Sequence, residues 1–271
     1  MSTSQARENR LILNGDPAGR AWREAPVATL PLARRIRNVF NGRTIADTTS
    51  ALIVFEHDHL PVYYVPEADI DLSALVPSDK TSTCSRKGHA GYWSIVVGDR
   101  TAPDAVWGYG EPIEGAPDLQ GYRAFYWDAL DHWYEEDEEV FVHARDPFKR
   151  VDALRSSRHV RIEIDGVTVA ESHRPTLLFE TGIATRYYLP RADVRLDLLR
   201  PTETVTACPY KGEANYYSAV VGDRTVDDIA WTYTIPIPEI PKIEQLVAFF
   251  DEHVDTYVDG ELQPRPQSPW S

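Results

Sequence analysis

The sequence predicts a mainly β protein built from two similar small antiparallel domains, each a sandwich or barrel with one short helix near its C-terminal end. Three observations carry this prediction: an ungapped internal repeat, period-two alternation around hairpin dipeptides, and helical spacing confined to the end of each copy. The repeat is visible at a constant offset of 124, where Asn41-Gly42 matches Asp165-Gly166, Tyr63-Tyr64 matches Tyr187-Tyr188 and Cys84 matches Cys208. Side by side, CSRKGHAGYWSIVVGDRT becomes CPYKGEANYYSAVVGDRT and AVWGYGEP becomes IAWTYTIP. About one residue in three is identical over residues 41–127 and their counterparts, which means one supersecondary plan used twice.

Taken in chain order, residues 1–36 read as an N-terminal extension outside the repeat. Residues 37–47 alternate apolar and polar around Asn41-Gly42, and the second copy repeats the device as RIEIDGVTVAES around Asp165-Gly166. Asn-Gly and Asp-Gly are the dipeptides that a two-residue hairpin turn with two positive φ angles prefers. Residues 177–180 and 186–189 are short aromatic and β-branched runs, separated by Thr181-Gly182 and closed by Pro190, and 215–221 and 229–234 supply further strands. Spacing then turns helical: Ile243, Leu246, Val247 and Phe250 fall on one face, and Leu119, Tyr122, Phe125 and Tyr126 match them. The expected plan is therefore a first copy over 37–141, a polar linker over 142–158, a second copy over 159–262 and a loose tail over 263–271.

Of 271 residues, 42% are hydrophobic and only 15 are Gly, the composition of a chain that buries a core. A formal net charge of −14 repels a phosphate backbone, so nucleic acid is not an expected partner. No apolar run reaches the roughly 20 residues of a membrane span, and the opening lacks the apolar stretch of a signal peptide. The expectation is a soluble cytoplasmic protein with reduced thiols and no membrane partner. Its two cysteines, one per copy, make no disulfide framework and cannot build a paired zinc site, and no cofactor motif is found. The acidic run at 135–139 reads as a solvated loop.

The second copy carries Glu171-Ser172-His173-Arg174-Pro175, Arg186-Tyr187-Tyr188-Leu189-Pro190, Cys208-Pro209-Tyr210-Lys211-Gly212, and Trp231-Thr232-Tyr233 with Pro236, in that order. This series resembles the bacterial DUF427 domain, and the first copy keeps Tyr63-Tyr64, Pro66, Cys84, Lys87-Gly88, Trp107 and Tyr109. The first copy has drifted, with Ser50 opposite Arg174, Val62 opposite Arg186 and Ser85-Arg86 opposite Pro209-Tyr210. The resemblance implies a tandem DUF427 protein with a compact fold similar to the β-tent and no assigned activity. A nucleotidyltransferase label is attached to the family, but this chain has neither a Gly-rich phosphate loop nor a paired-Asp metal motif.

Three groups of residues carry potential chemistry. Cys208 is followed by Lys211 and Gly212, and a lysine beside a thiol favours the nucleophilic thiolate, although a lone Cys is as readily a small buried hydrophobe. Glu180, inside the apolar run Leu177-Leu178-Phe179, needs a cationic partner if it points inward, and Arg174 or Arg186 is the expected one. If those arginines instead face a cleft, their planar forks suit a carboxylate or phosphate. Tyr188, Tyr216, Trp231 and Tyr233 supply aromatic surface, with one ring of the Trp231–Tyr233 pair expected in the core and the other at a pocket edge.

Three functions follow in order of preference. The first is a module binding a small polar or anionic ligand in the second copy. The second is an enzyme using Cys208 as nucleophile with Lys211 and Glu180 as acid or base. The third is a protein-interaction module. Sequence assigns no oligomeric state.

Overall fold

In the computed structural model the described residues are 25–57, 59–111 and 113–268. Residues 1–24 of the expected extension and 269–271 of the expected tail lie outside them. The chain divides into two compact units between Ala144 and Arg145.

The first unit runs through β1 (Val27–Pro31), β2 (Ile36–Phe40), β3 (Arg43–Thr48), β4 (Leu52–Glu56), β5 (Val62–Pro66) and β6 (Leu75–Cys84). It continues with β7 (Gly88–Val97), β8 (Arg100–Tyr109), β9 (Tyr122–Phe125), β10 (His132–Glu135) and β11 (Glu138–Glu139). Seven of these form one sheet in the order β1-β4-β5-β9-β8-β7-β6, and four form a second in the order β11-β10-β2-β3, with antiparallel pairing throughout.

The second unit repeats the plan with β12 (Val151–Arg155), β13 (Val160–Ile164), β14 (Val167–Ser172), β15 (Thr176–Glu180), β16 (Ile183–Tyr188) and β17 (Leu199–Cys208). β18 (Gly212–Val221), β19 (Arg224–Pro236), β20 (Val247–Phe249), β21 (Asp255–Val258) and β22 (Glu261–Leu262) complete it. The orders are β12-β15-β16, β17-β18-β19-β20 and β14-β13-β21-β22. The bridge Leu189–Val247, with both amides donating at 2.8 and 2.9 Å, joins the first two groups where Val65 pairs with Arg123 in the first unit.

The hairpin turns form as the dipeptides predict: Asn41 and Gly42 take φ of 48° and 72°, and Asp165 and Gly166 take 50° and 77°. Because side chains alternate across a strand, the long sheet buries both of its faces. One face of the first unit's sheet (Ile53, Tyr63, Val65, Ile95, Phe125) packs with Ile36, Phe40 and Ile45 of the smaller sheet. Its opposite face gathers Val54, Tyr64, Ala90, Tyr92, Tyr109 and Ala124 into a second cluster. The second unit does the same, with Leu178, Tyr188, Ala214, Trp231 and Tyr233 in the matching cluster.

Three expectations are corrected. The closing helices are absent: of the residues spaced for them, Tyr122 and Phe125 lie in the strand β9, Val247 lies in the strand β20 and Ile243 lies in the 3₁₀ turn Pro241–Ile243, while the turn Trp127–Ala129 follows β9. A strand is required there because β8 would otherwise present unpaired backbone groups inside the sheet. The linker contains β12, paired with β15 from Val151–Glu180 to Arg155–Thr176, and the extension contains β1, paired likewise with β4. The acidic run is not wholly solvated either, since Glu135 is buried, accepting from the Tyr63 hydroxyl and from Arg34. Among the described residues no helix is long and apolar enough to cross a membrane.

Candidate functional site

The second cluster of each unit ends in a polar group, and the β17–β18 turn builds it. Cys208 closes β17 opposite Gly212, the Lys211 amide donates to the Cys208 carbonyl at 3.3 Å, and Gly212 takes φ of +100° to reverse the chain. The Ile237 amide donates to the Lys211 carbonyl at 3.1 Å, pinning the turn to the chain beyond β19. The turn sends the Lys211 ammonium to Glu180, the last residue of β15, where it donates to the carboxylate together with Lys149 Nζ at 3.1 Å. Burial works to raise the Glu180 pKa, but the charges of Lys211 and Lys149 outweigh it and hold the carboxyl below its ordinary range.

The first unit builds the same group with a different second cation. Lys87 Nζ lies 2.5 Å from Glu56, Arg86 Nη1 lies 3.7 Å from it, and the Cys84 thiol donates to Oε1 at 3.7 Å. Burial opposes ionisation of Glu56 and Lys87 overcomes it, so this carboxyl is also held low. Each unit therefore sets two cations around one carboxylate beside a half-buried free thiol.

Behind the ion group stands a shared aromatic wall. Trp231 Nε1 donates to the Tyr188 hydroxyl at 3.1 Å, with the rings edge-on at 6.2 Å, and Trp107 with Tyr64 repeats this at 3.2 and 6.3 Å. Thr206 and Tyr216 share a hydroxyl hydrogen bond at 2.8 Å, as do Ser82 and Tyr92. Burial pushes the Tyr188 and Tyr233 phenols up, so both stay neutral. Trp231 and Tyr233 are both buried, so neither ring forms the expected pocket edge. Tyr216 is half-buried at the rim.

The two arginines are placed otherwise than expected. Arg174 is exposed and paired with Asp193 through Nε and Nη2 at 3.1 and 3.0 Å, and the Ser172 hydroxyl donates to the same acid at 2.7 Å. Arg186 is buried, 5.8 Å from the Trp231 ring centre, donating to Glu252 at 2.5 and 2.7 Å and to Asp251 at 3.2 Å. Glu180 thus meets lysines, not arginines: Arg174 is taken by Asp193, and Arg186 by Glu252 and Asp251. Lys211 in turn directs its ammonium to Glu180.

Sequence pattern does not reveal Lys149, which sits in the expected linker, or the Asp251–Glu252 pair. A signal for the latter was present in the repeat: Val62 becomes Arg186 and Trp127 becomes Asp251, so a new cation and a new acid appear together. Among the described residues no group of three or more His, Cys, Asp or Glu gathers as metal ligands.

No curated protein matches the chain. The family model of the domain of unknown function DUF427 matches it twice, over residues 28–136 and 152–260. Those matches begin at β1 and β12, as the sheets do, and together they cover more than half of the chain, which therefore belongs to the DUF427 family and carries the domain twice in tandem.

Proposed function

We propose that the protein is a small-molecule binding module, and that each copy holds an anionic group of its ligand, a carboxylate or a phosphate, at the surplus cation beside Glu180 or Glu56. One observation carries the reading. The two copies supply their second cation from unrelated places, Arg86 in the β6–β7 turn and Lys149 before β12, yet both end with two positive charges around one carboxylate, buried at Glu180 and half-buried at Glu56. One Lys–Glu pair alone would satisfy the acid, so the further cation is surplus charge that a third party can share. In a chain of net charge −14 such a site attracts an anion locally against the field of the whole surface. Tyr216, half-buried, and Tyr92, buried but for 8% of its surface, offer aromatic surface to the remainder of the ligand.

Calorimetric titration of the full chain with inorganic phosphate and with succinate, at constant ionic strength, tests this. Binding of either anion should weaken by at least roughly ten-fold in Lys149→Gln combined with Arg86→Gln, with both Glu–Lys pairs left in place. At saturation near 100 times Kd, the ligand should add about 2.7 kcal/mol to the stability. No binding of either probe up to about 50 mM, or equal binding by the double variant, overturns the proposal.

A further inference from the structure

The second unit contains a cleft of about 190 Å³ that is distinct from the Glu180 group. It is lined by Ala184, Thr185 and Tyr187 of β16, by Asp251 and Thr256, and by Gln263, Pro264 and Pro266 of the chain after β22. An engineered cavity of about 150 Å³ accepts a benzene-sized guest, so this volume suits a small organic molecule.

Comparison of the copies shows how the cleft arises. At the position of Asp251 the first unit has Trp127, whose ring stacks on Trp133 at 4.7 Å and 11° and lies 6.2 Å from Tyr63. The second unit replaces that large ring with a carboxyl and leaves the space open. The change also strands a phenol. Tyr63 donates to Glu135, whereas Glu135 corresponds to Asp259, which accepts instead from the His159 amide and pairs with Arg158. The Tyr187 hydroxyl consequently makes no hydrogen bond among the described residues, and its ring lines the cleft.

Among the lining residues the charge of the cleft is of one sign, and Arg158, which also acts on the Tyr187 phenol, is paired with Asp259 at 3.4 Å. Among the lining residues Asp251 is the only ionisable carboxyl, none is basic, and burial keeps the Tyr187 phenol neutral. Asp251 accepts from Thr256 at 2.7 Å and from Arg186 at 3.2 Å, but Arg186 is shared with Glu252, which takes its two shorter bonds. Two carboxylates against one guanidinium leave a negative excess. At the rim, Asp255 is matched by Arg265 at 2.9 Å and adds no net charge.

We propose that this cleft binds a small organic ammonium ion, its nitrogen against Asp251 and the Tyr187 hydroxyl and its carbon skeleton over the Tyr187 ring, Pro264 and Pro266. The arrangement combines a carboxylate acceptor, an unengaged phenol oxygen and an aromatic face, the groups that recognise a desolvated alkylammonium. This site is independent of the anion reading above, since it shares no residue with it. Because burial pushes Asp251 up to about 6, with Glu252 adding to the effect and Arg186 and Thr256 opposing it, binding weakens as pH falls below that value and the carboxyl takes a proton.

The test is an NMR titration of the full chain with benzylamine and with its neutral counterpart benzyl alcohol at pH 7.5. Benzylamine should shift the backbone amides of residues 184–187 and 251–256 and bind at least roughly ten-fold tighter than the alcohol. Asp251→Asn should erase that preference. Ala184→Trp, at an exposed position on the rim, should block both probes without touching the buried acid, so the proposal stays testable even if the Asp251 variant misfolds. Equal affinity for the two probes, shifts located elsewhere, or benzylamine binding unchanged in Ala184→Trp overturns it.

Discussion

At the residue scale the least expected feature is one buried guanidinium serving two carboxylates. Glu252 takes the bidentate geometry, and although burial opposes its charge, Arg186 and the Ser268 hydroxyl hold it down to about 2. Asp251 is left with the longer bond and is pushed up to about 6 by burial. The two acids therefore load stability in opposite directions. Glu252 contributes stability that is present above its ordinary pKa of 4.5 and is lost as pH falls toward 2. Asp251 binds its proton more tightly folded than unfolded, so stability falls as pH rises from about 4 to about 6, by up to about 3 kcal/mol. Urea unfolding of wild type and Asp251→Asn at pH 4.5 and pH 7.5 separates this from the general acid response. The advantage of wild type over the variant should shrink at the higher pH, and a pH-independent difference contradicts the assignment.

At the scale of elements, the turns were legible and the central strands were not. An Asp-Gly dipeptide acts through its own φ angles, so Asp165-Gly166 could be read from two letters. The stretch ending in Phe125 has spacing that fits a helix as well as a strand, and pairing with β5 and β8 decides the matter. Gly212 differs from the hairpin glycines in the same way. A Cβ there would stand 3.3 Å from both the Ile235 carbonyl and the Ile237 amide, whereas at Gly166 nothing lies within 4 Å. Both positions have positive φ, so each alanine substitution costs about 1 kcal/mol for the backbone alone. Gly212→Ala should cost more, about 2 kcal/mol, because backbone cannot step aside, and it should loosen the Lys211–Glu180 pair. Denaturant unfolding of the two variants in the full chain checks the order; Gly166→Ala as damaging as Gly212→Ala would mean the turn yields freely.

At the scale of the whole molecule, each unit contains its own two core clusters, with the smaller sheet covering one face of the larger. Pieces of this size bury enough surface to fold alone. Residues 25–144 and 145–268, expressed separately, should each give a dispersed NMR spectrum and a cooperative thermal transition. A piece that stays unfolded would show that its core depends on the other half of the chain. Pieces cut at 37–141 and 159–262, as the repeat alone suggests, leave out β1 and β12, although each is hydrogen-bonded along an edge of its sheet. The family, the duplication, the β class, the hairpins and the shared Glu, Cys and Lys positions were all determined by the sequence itself, since each rests on neighbouring residues or on matching at a fixed offset. Tertiary structure alone decided which cation meets which acid. Lys149 reaches Glu180 and Arg186 reaches Glu252 across 31 and 66 residues because strand order and register place them together, and buried charges then pair by proximity, a relation that local pattern does not encode.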